Sequence, residues 1–298
     1  MSSDYTLAYG THATPDEGRC AMEWVSYIAG EPHSDEPACV SPVVRAFCTA
    51  FNDSLEDGPR QRLRPYLART IGTASDGFDE LRAWLAMDWL IRVYTPTWLA
   101  AAGHDRAAAR LRALDPVLRV KALHAALDPL AGARNVAKTA WRDALGASRA
   151  ALWAPWLAGR MTAREIAWES AAAAAWSAAR LGIGDIAGDR ARVAAREIAG
   201  DAAATIGRDA RVAATGRSAA RDAARASLAP TVAELQRSAF ALLDGMLPTV
   251  ALGTPSAEAL CTPSAEPLGS PSAEPLGSPP AVVDAAGADA LRGEPVLG

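Results

Sequence analysis

Aromatic rings are scarce in the second half of this chain. All nine tryptophans lie between Trp24 and Trp176, all five tyrosines lie between Tyr5 and Tyr94, and only Phe240 follows Trp176. Large rings supply much of the area that anchors a close-packed interior. A conventional core is therefore expected in the front of the chain, while the later part must pack on alanine with scattered Ile, Val and Leu. Lysine is also nearly missing: Lys121 and Lys138 stand alone and every other basic residue is arginine. The cysteines, Cys20, Cys39, Cys48 and Cys261, show no CxxC spacing, which excludes the zinc-knuckle and dithiol patterns that depend on it. There is no HExxH and no Gly-x-Ser-x-Gly. The glycines of "LGIGDIAGDR" have neither a preceding strand nor a following Lys-Ser/Thr, so no phosphate loop is present. No uncharged apolar run is long enough to cross a bilayer. The opening "MSSDYTLAYGTHATPDEG" carries neither the basic start nor the apolar stretch of a secretory signal. The expectation is a soluble cytoplasmic protein with reduced thiols and no membrane partner.

What is present is helical periodicity. Half of the 298 residues are hydrophobic, and no segment alternates with a period of two, so the fold class is all-α. In "CAMEWVSYIAG", Met22, Val25 and Ile28 share a face and Gly30 supplies a stop. In "SPVVRAFCTAFND", Ser41 is an N-cap and Pro42 takes the first helical position. Asp57 and Pro59 open a third helix, bent at Pro65. The stretch "DELRAWLAMDWLIRVYTPTWLAA" leaves little polar face and reads as a central helix buried all round, ended or kinked at Pro96. Short helices broken at Pro116 follow over 104–128, then a helical pair over 131–160. Thr162 and Glu165 match a capping box ahead of Trp168 and Trp176, glycines divide the alanine-rich region between Gly188 and Gly216, and Thr231 with Glu234 caps a final amphipathic helix.

Four consecutive octads, "TPSAEALC", "TPSAEPLG", "SPSAEPLG" and "SPPAVVDA", run from Thr254 to Ala285. Proline at the second place of each denies regular structure, and the apolar content is too low to offset ordering entropy. The organisation expected is a flexible leader over 1–17, a tryptophan-rich helical domain over 18–160, an Ala/Arg-rich helical region over 161–248 and a disordered acidic tail over 249–298.

Three constellations are candidates for chemistry. The stretch "RCAMEWVSYIAGEPHSDEPACVSP" carries Cys20, Glu23, Glu31, His33, Asp35 and Cys39. Zinc wants four converging ligands, and Cys20, His33 and Cys39 with an acid can supply them, but the cysteines are not in close pairs. Cys39 with His33 as base would be a thiol nucleophile. The competing reading is a polar turn joining two helices, and it is favoured; no metal and no cofactor is expected. Asp88 and Arg92, four apart on the most hydrophobic helix, are either a perturbed acid or a structural ion pair, the latter favoured. Arg217, Arg221 and Arg225 form a basic stripe able to meet phosphates. No aromatics interleave there for base stacking and the net charge is −4, so a solvated face is favoured over nucleic acid.

"CAMEWVSYIAGEPHSDEPACVSPV", "LRAWLAMDWLIRVYTPTWL" and "LAPTVAELQRSAFALLDGML" together resemble an uncharacterised all-helical protein family of actinobacteria and their phages. The relatives' first motif runs Met-Glu, then Gly-Glu, then Asp-His-Pro-x-Cys. Glu23, Glu31, Asp35 and Cys39 match it, whereas Glu36 stands where the relatives carry histidine, which removes the imidazole a metal site would want. The resemblance implies a fold family and no activity. With no catalytic signature, alanine helices suited to close association and a tether-like tail, the expectation is a non-catalytic protein–protein interaction or assembly protein, with a protein partner or a second copy of the chain. The alternatives are a metal-binding or thiol-dependent enzyme on the Cys20–Cys39 segment, and a nucleic-acid contact through the arginine stripe.

Overall fold

The computed structural model describes residues 5–147, 153–208 and 213–248. The octad segment lies outside the described residues. The described chain is helical, with no strand among them. Its helices are α1 (Ala21–Ala29), α2 (Pro42–Ser54), α3 (Asp57–Arg60), α4 (Arg64–Thr70), α5 (Asp79–Trp89), α6 (Thr95–Ala101), α7 (Asp105–Arg112), α8 (Val120–Ala147), α9 (Trp153–Glu169), α10 (Ala172–Gly182), α11 (Ile186–Thr205) and α12 (Arg217–Met246).

The front follows its local signals. Gly30 takes the left-handed conformation that ends α1, and the Glu31 amide folds back to the Ser26 carbonyl at 2.9 Å. Ser41 Oγ accepts from the amides of Val43 and Val44, at 3.2 and 3.3 Å, ahead of Pro42. Phe47, Phe51 and Phe240 form a ring cluster that brings α12 against α2.

Several elements differ from the sequence expectation, for physical reasons. The leader is tied down from residue 5: Leu7 is buried, its amide donates to Gln61 Oε1 at 2.9 Å, and the Gly10 amide donates to Asp53 Oδ1 at 2.9 Å. The hydrophobic central helix is neither continuous nor buried all round. Leu81 is exposed, and a π-turn over Leu90–Tyr94 separates α5 from α6. Pro96 withdraws the donor that the Arg92 carbonyl would use, while Thr95 Oγ1 donates to the Leu90 carbonyl at 2.7 Å. Pro129 and Pro230 sit inside α8 and α12 without ending them. Thr231 is therefore a buried interior residue of α12, and Thr162 is buried inside α9, which starts at Trp153; neither is a cap. Gly188 and Gly200 likewise lie within α11, which runs unbroken to Thr205.

The later helices pack on methyl groups, as the lack of rings requires. α10 lies against α2 and α5, α11 against α8, α9 and α6, and α12 against α9. Ala174, Ala175, Ala178 and Ala179 of α10 and Ala191, Ala195, Ala199 and Ala202 of α11 are fully buried. Gly182 marks a close approach of α10 to α5, because a Cβ there would collide with the Ala83 methyl. Trp168 and Trp176 do not share one helix. α9 stops at Glu169, Ala171 adopts a left-handed conformation at φ 85°, and α10 begins at Ala172. The break swings the two rings into an edge-to-face contact at 5.3 Å.

Candidate functional site

The polar segment around α1 is built on its glutamates. Glu23 is 1% exposed. Its Oε2 accepts from the Cys20 amide at 2.7 Å, the return half of a capping box at the N-terminus of α1, and from His12 Nδ1 at 2.8 Å. Its Oε1 accepts from the His12 amide at 2.6 Å. Burial pushes this carboxyl up, but the two amides and the imidazole outweigh burial and hold it below the ordinary glutamate value. Glu31 does the same work at the other end of the helix: Oε2 accepts from the Ala38 amide at 2.7 Å and Oε1 from the Cys39 amide at 2.9 Å. His33 Nε2 donates to the His12 carbonyl at 3.0 Å. Ser26 Oγ donates to the Ser34 carbonyl at 2.7 Å, and Ser34 Oγ receives the Glu36 amide at 2.9 Å. Asp35 makes no hydrogen bond or ion pair with any described residue.

The structure thus brings Glu23, His33 and the Cys20 backbone around His12, and joins Glu31 to the backbone at Cys39. It does not gather Cys20, His33 and Cys39 into a ligand set. Among the described residues no group of three or more His, Cys, Asp or Glu side chains is placed to hold a metal ion. His12 was invisible to sequence reasoning. It lies in a run without periodicity, and only the fold carries it to Glu23. Cys20, Cys39 and Cys48 are buried and unbridged. Burial pushes both the Cys20 and Cys48 thiols up to about 12, with the Glu23 charge adding to the effect at Cys20. A thiol held this far up is poorly nucleophilic. Treated with iodoacetamide at mildly alkaline pH, the folded protein should leave Cys20 and Cys48 unmodified, and the denatured chain should be labelled at both. Peptide mass spectrometry reads the result, and rapid native labelling of either residue would overturn this reading.

Asp88 and Arg92 pair as the spacing expects, with Arg92 Nη1 at 3.2 and 3.3 Å from the two carboxylate oxygens. Asp88 Oδ1 also accepts from the Val117 amide at 2.7 Å. The carboxylate therefore pins the connection between α7 and α8 to α5. Arg217, Arg221 and Arg225 are exposed on α12. Arg225 stands 3.4 Å from Asp222, and Arg221 and Arg225 line a cleft with Glu165 of α9, so acidic groups dilute two of the three charges.

A different, half-buried group gathers on the outer side of α1. The Tyr5 and Trp24 rings meet tilted at 4.3 Å, Trp24 meets Tyr27 edge-on at 5.5 Å, and the Arg19 guanidinium lies 4.9 Å from both the Trp24 and Tyr27 rings. Trp24 Nε1 donates to the Thr6 carbonyl at 3.1 Å, which fixes the indole. Tyr27 remains 58% exposed. Each of these residues is visible in the sequence, but their assembly depends on residues 5–8 running beside Arg19, where the Ala8 amide donates to the Arg19 carbonyl at 2.8 Å.

No helix among the described residues is long and apolar enough to cross a membrane. Comparison with protein-family models, with curated proteins and with solved structures finds no match.

Proposed function

We propose that this chain is a non-catalytic protein-interaction module whose contact face is the Tyr5–Arg19–Trp24–Tyr27 surface of α1. The observation that carries the reading is the pre-assembled ring–guanidinium cluster, in which half-buried Tyr5, Trp24 and Arg19 hold the exposed Tyr27. Trp, Tyr and Arg are the residue types that dominate binding energy at protein interfaces. Rings already held by a neighbour lose little further freedom when a partner covers them. The polar groups in and around the same helix support the reading, since the oxygens of Glu23 and of Glu31 beyond its end are engaged by backbone amides and the Cys20 thiol ahead of it is held in its neutral form.

The test immobilises the full chain, identifies what it captures, and titrates that protein against wild type, Tyr27→Ala and Arg19→Ala; light scattering on the same samples detects self-association. Either substitution should weaken the contact on the order of tenfold or more while leaving the unfolding midpoint within error of wild type. A partner bound equally well by both variants, or a monomer that holds no partner, would sink the proposal.

A further inference from the structure

We infer that the cleft between α9, α10 and α11 binds an organic cation of the guanidinium or methylated-ammonium class. This inference is independent of the α1 interaction face. The cleft has a volume of about 560 Å³ and is walled by Glu165, Trp168, Glu169, Trp176, Arg196 and Glu197. A space of that size suits a small organic molecule. The break at Ala171 sets the two indoles edge-to-face, so they form an aromatic corner. The chain's own organic cation already sits there: the Arg196 guanidinium lies 4.3 Å from the Trp168 ring, a close cation–π geometry.

Of the five charged side chains that line the cleft, three are acidic. Arg164, which also lines the cleft, is engaged by Asp201, and Glu197 is engaged by Arg134. That leaves Glu165 and Glu169, one turn apart on the same face of α9, while Arg196 lies against the Trp168 ring and Arg221 and Arg225 of α12 line the adjoining cleft with Glu165. Burial, and next the Glu165 charge, push the Glu169 carboxyl above the ordinary glutamate value; Arg225 of α12 only partly relieves it. Two like charges at this spacing repel each other, and a cation placed between them removes that repulsion. A ligand of this class would take the ring face now covered by Arg196 and leave that side chain free to move into solvent.

The experiment is calorimetric titration of the full chain with methylguanidinium, tetramethylammonium, an arginine-containing peptide and, as the anionic control, acetate. The indole N–H signals of Trp168 and Trp176 are followed by NMR to locate binding. The cations should bind and shift both signals, and acetate should do neither. Glu169→Gln should weaken cation binding about tenfold. Arg196→Ala should strengthen it, because the internal competitor is gone, and this sign separates the proposal from its opposite. A peptide that outcompetes methylguanidinium would identify the natural ligand as a partner's side chain; equal binding would identify a free small cation; both support the site. Binding of acetate with loss on Arg196→Ala, or no shift of either indole with any cation, would overturn it. Loss of partner capture by Tyr27→Ala would leave this result untouched, so the two proposals fail separately.

Discussion

Replacing Arg82 with methionine is expected to cost about 3 kcal/mol of folding stability, read as a lower midpoint in urea denaturation at an unchanged slope. Arg82 is 2% exposed and its guanidinium is fully engaged. Nε donates to the Met246 carbonyl at 2.9 Å, Nη1 reaches Asp76 Oδ1 at 2.8 Å and Asp79 Oδ1 at 3.2 Å, and Nη2 binds Asp76 Oδ2. One side chain thus holds the end of α12 to the start of α5. Methionine fills the space but leaves the Met246 carbonyl without the Arg82 donor and strips the Asp76 carboxylate of its guanidinium partner. The pH dependence follows from Asp76. Burial raises its carboxyl, yet the Arg82 bonds, the Phe78 amide and the Arg82 charge outweigh burial and hold it below the ordinary aspartate value. A group lowered in the folded state contributes its stability above its unfolded value and loses it as pH falls through the folded one. Wild type should therefore lose stability on acidification more steeply than Arg82→Met. Parallel curves would show that the pair contributes nothing.

Glu23→Ala is the second large effect, again about 3 kcal/mol, because one buried carboxylate serves two amides and an imidazole. Glu23→Gln keeps the volume but turns an NH2 group toward N–H donors, so most of the loss should remain. The sign of the pH dependence matches that of Asp76: the Glu23 contribution is present above the unfolded glutamate value and fades as pH falls through the lowered folded one. Circular dichroism during urea titration at neutral and acidic pH checks both points. If Glu23→Gln unfolded at the wild-type midpoint, the carboxylate would not be the clamp described above.

These two residues show where the sequence was legible and where it was not. The all-α class, the Ser41–Pro42 start, the Gly30 stop and the Asp88–Arg92 pair rest on contacts within four residues along the chain, and local pattern was enough. The long helices through Pro129 and Pro230 were not legible, because packing against other helices overrides the missing donor of a single proline. Long-range partners were hidden as well. The arginine content, with almost no lysine, looks like compositional bias, yet buried arginines close helix ends that the local sequence leaves open. Arg60 reaches the carbonyls of Asn52 and Leu55 at the end of α2, Arg192 that of Ile183 after α10, and Arg82 that of Met246. A planar guanidinium with several fixed donors performs this task where an ammonium cannot. Within the candidate site, Glu23 and Glu31 stood out by residue type, but His12 and the aromatic–arginine face needed the leader to be laid across α1.

Glu23 of α1 and Glu31 just past its end are both spent on backbone amides, which leaves the outer rings of that helix as its working surface. Amide hydrogen exchange on the full chain tests this most directly. The His12, Cys20, Ala38 and Cys39 amides should exchange as slowly as helix-interior amides; Glu23→Gln should speed only the first pair and Glu31→Gln only the second. Fast exchange at all four in wild type, with the carboxylates free to take up added zinc, would contradict it.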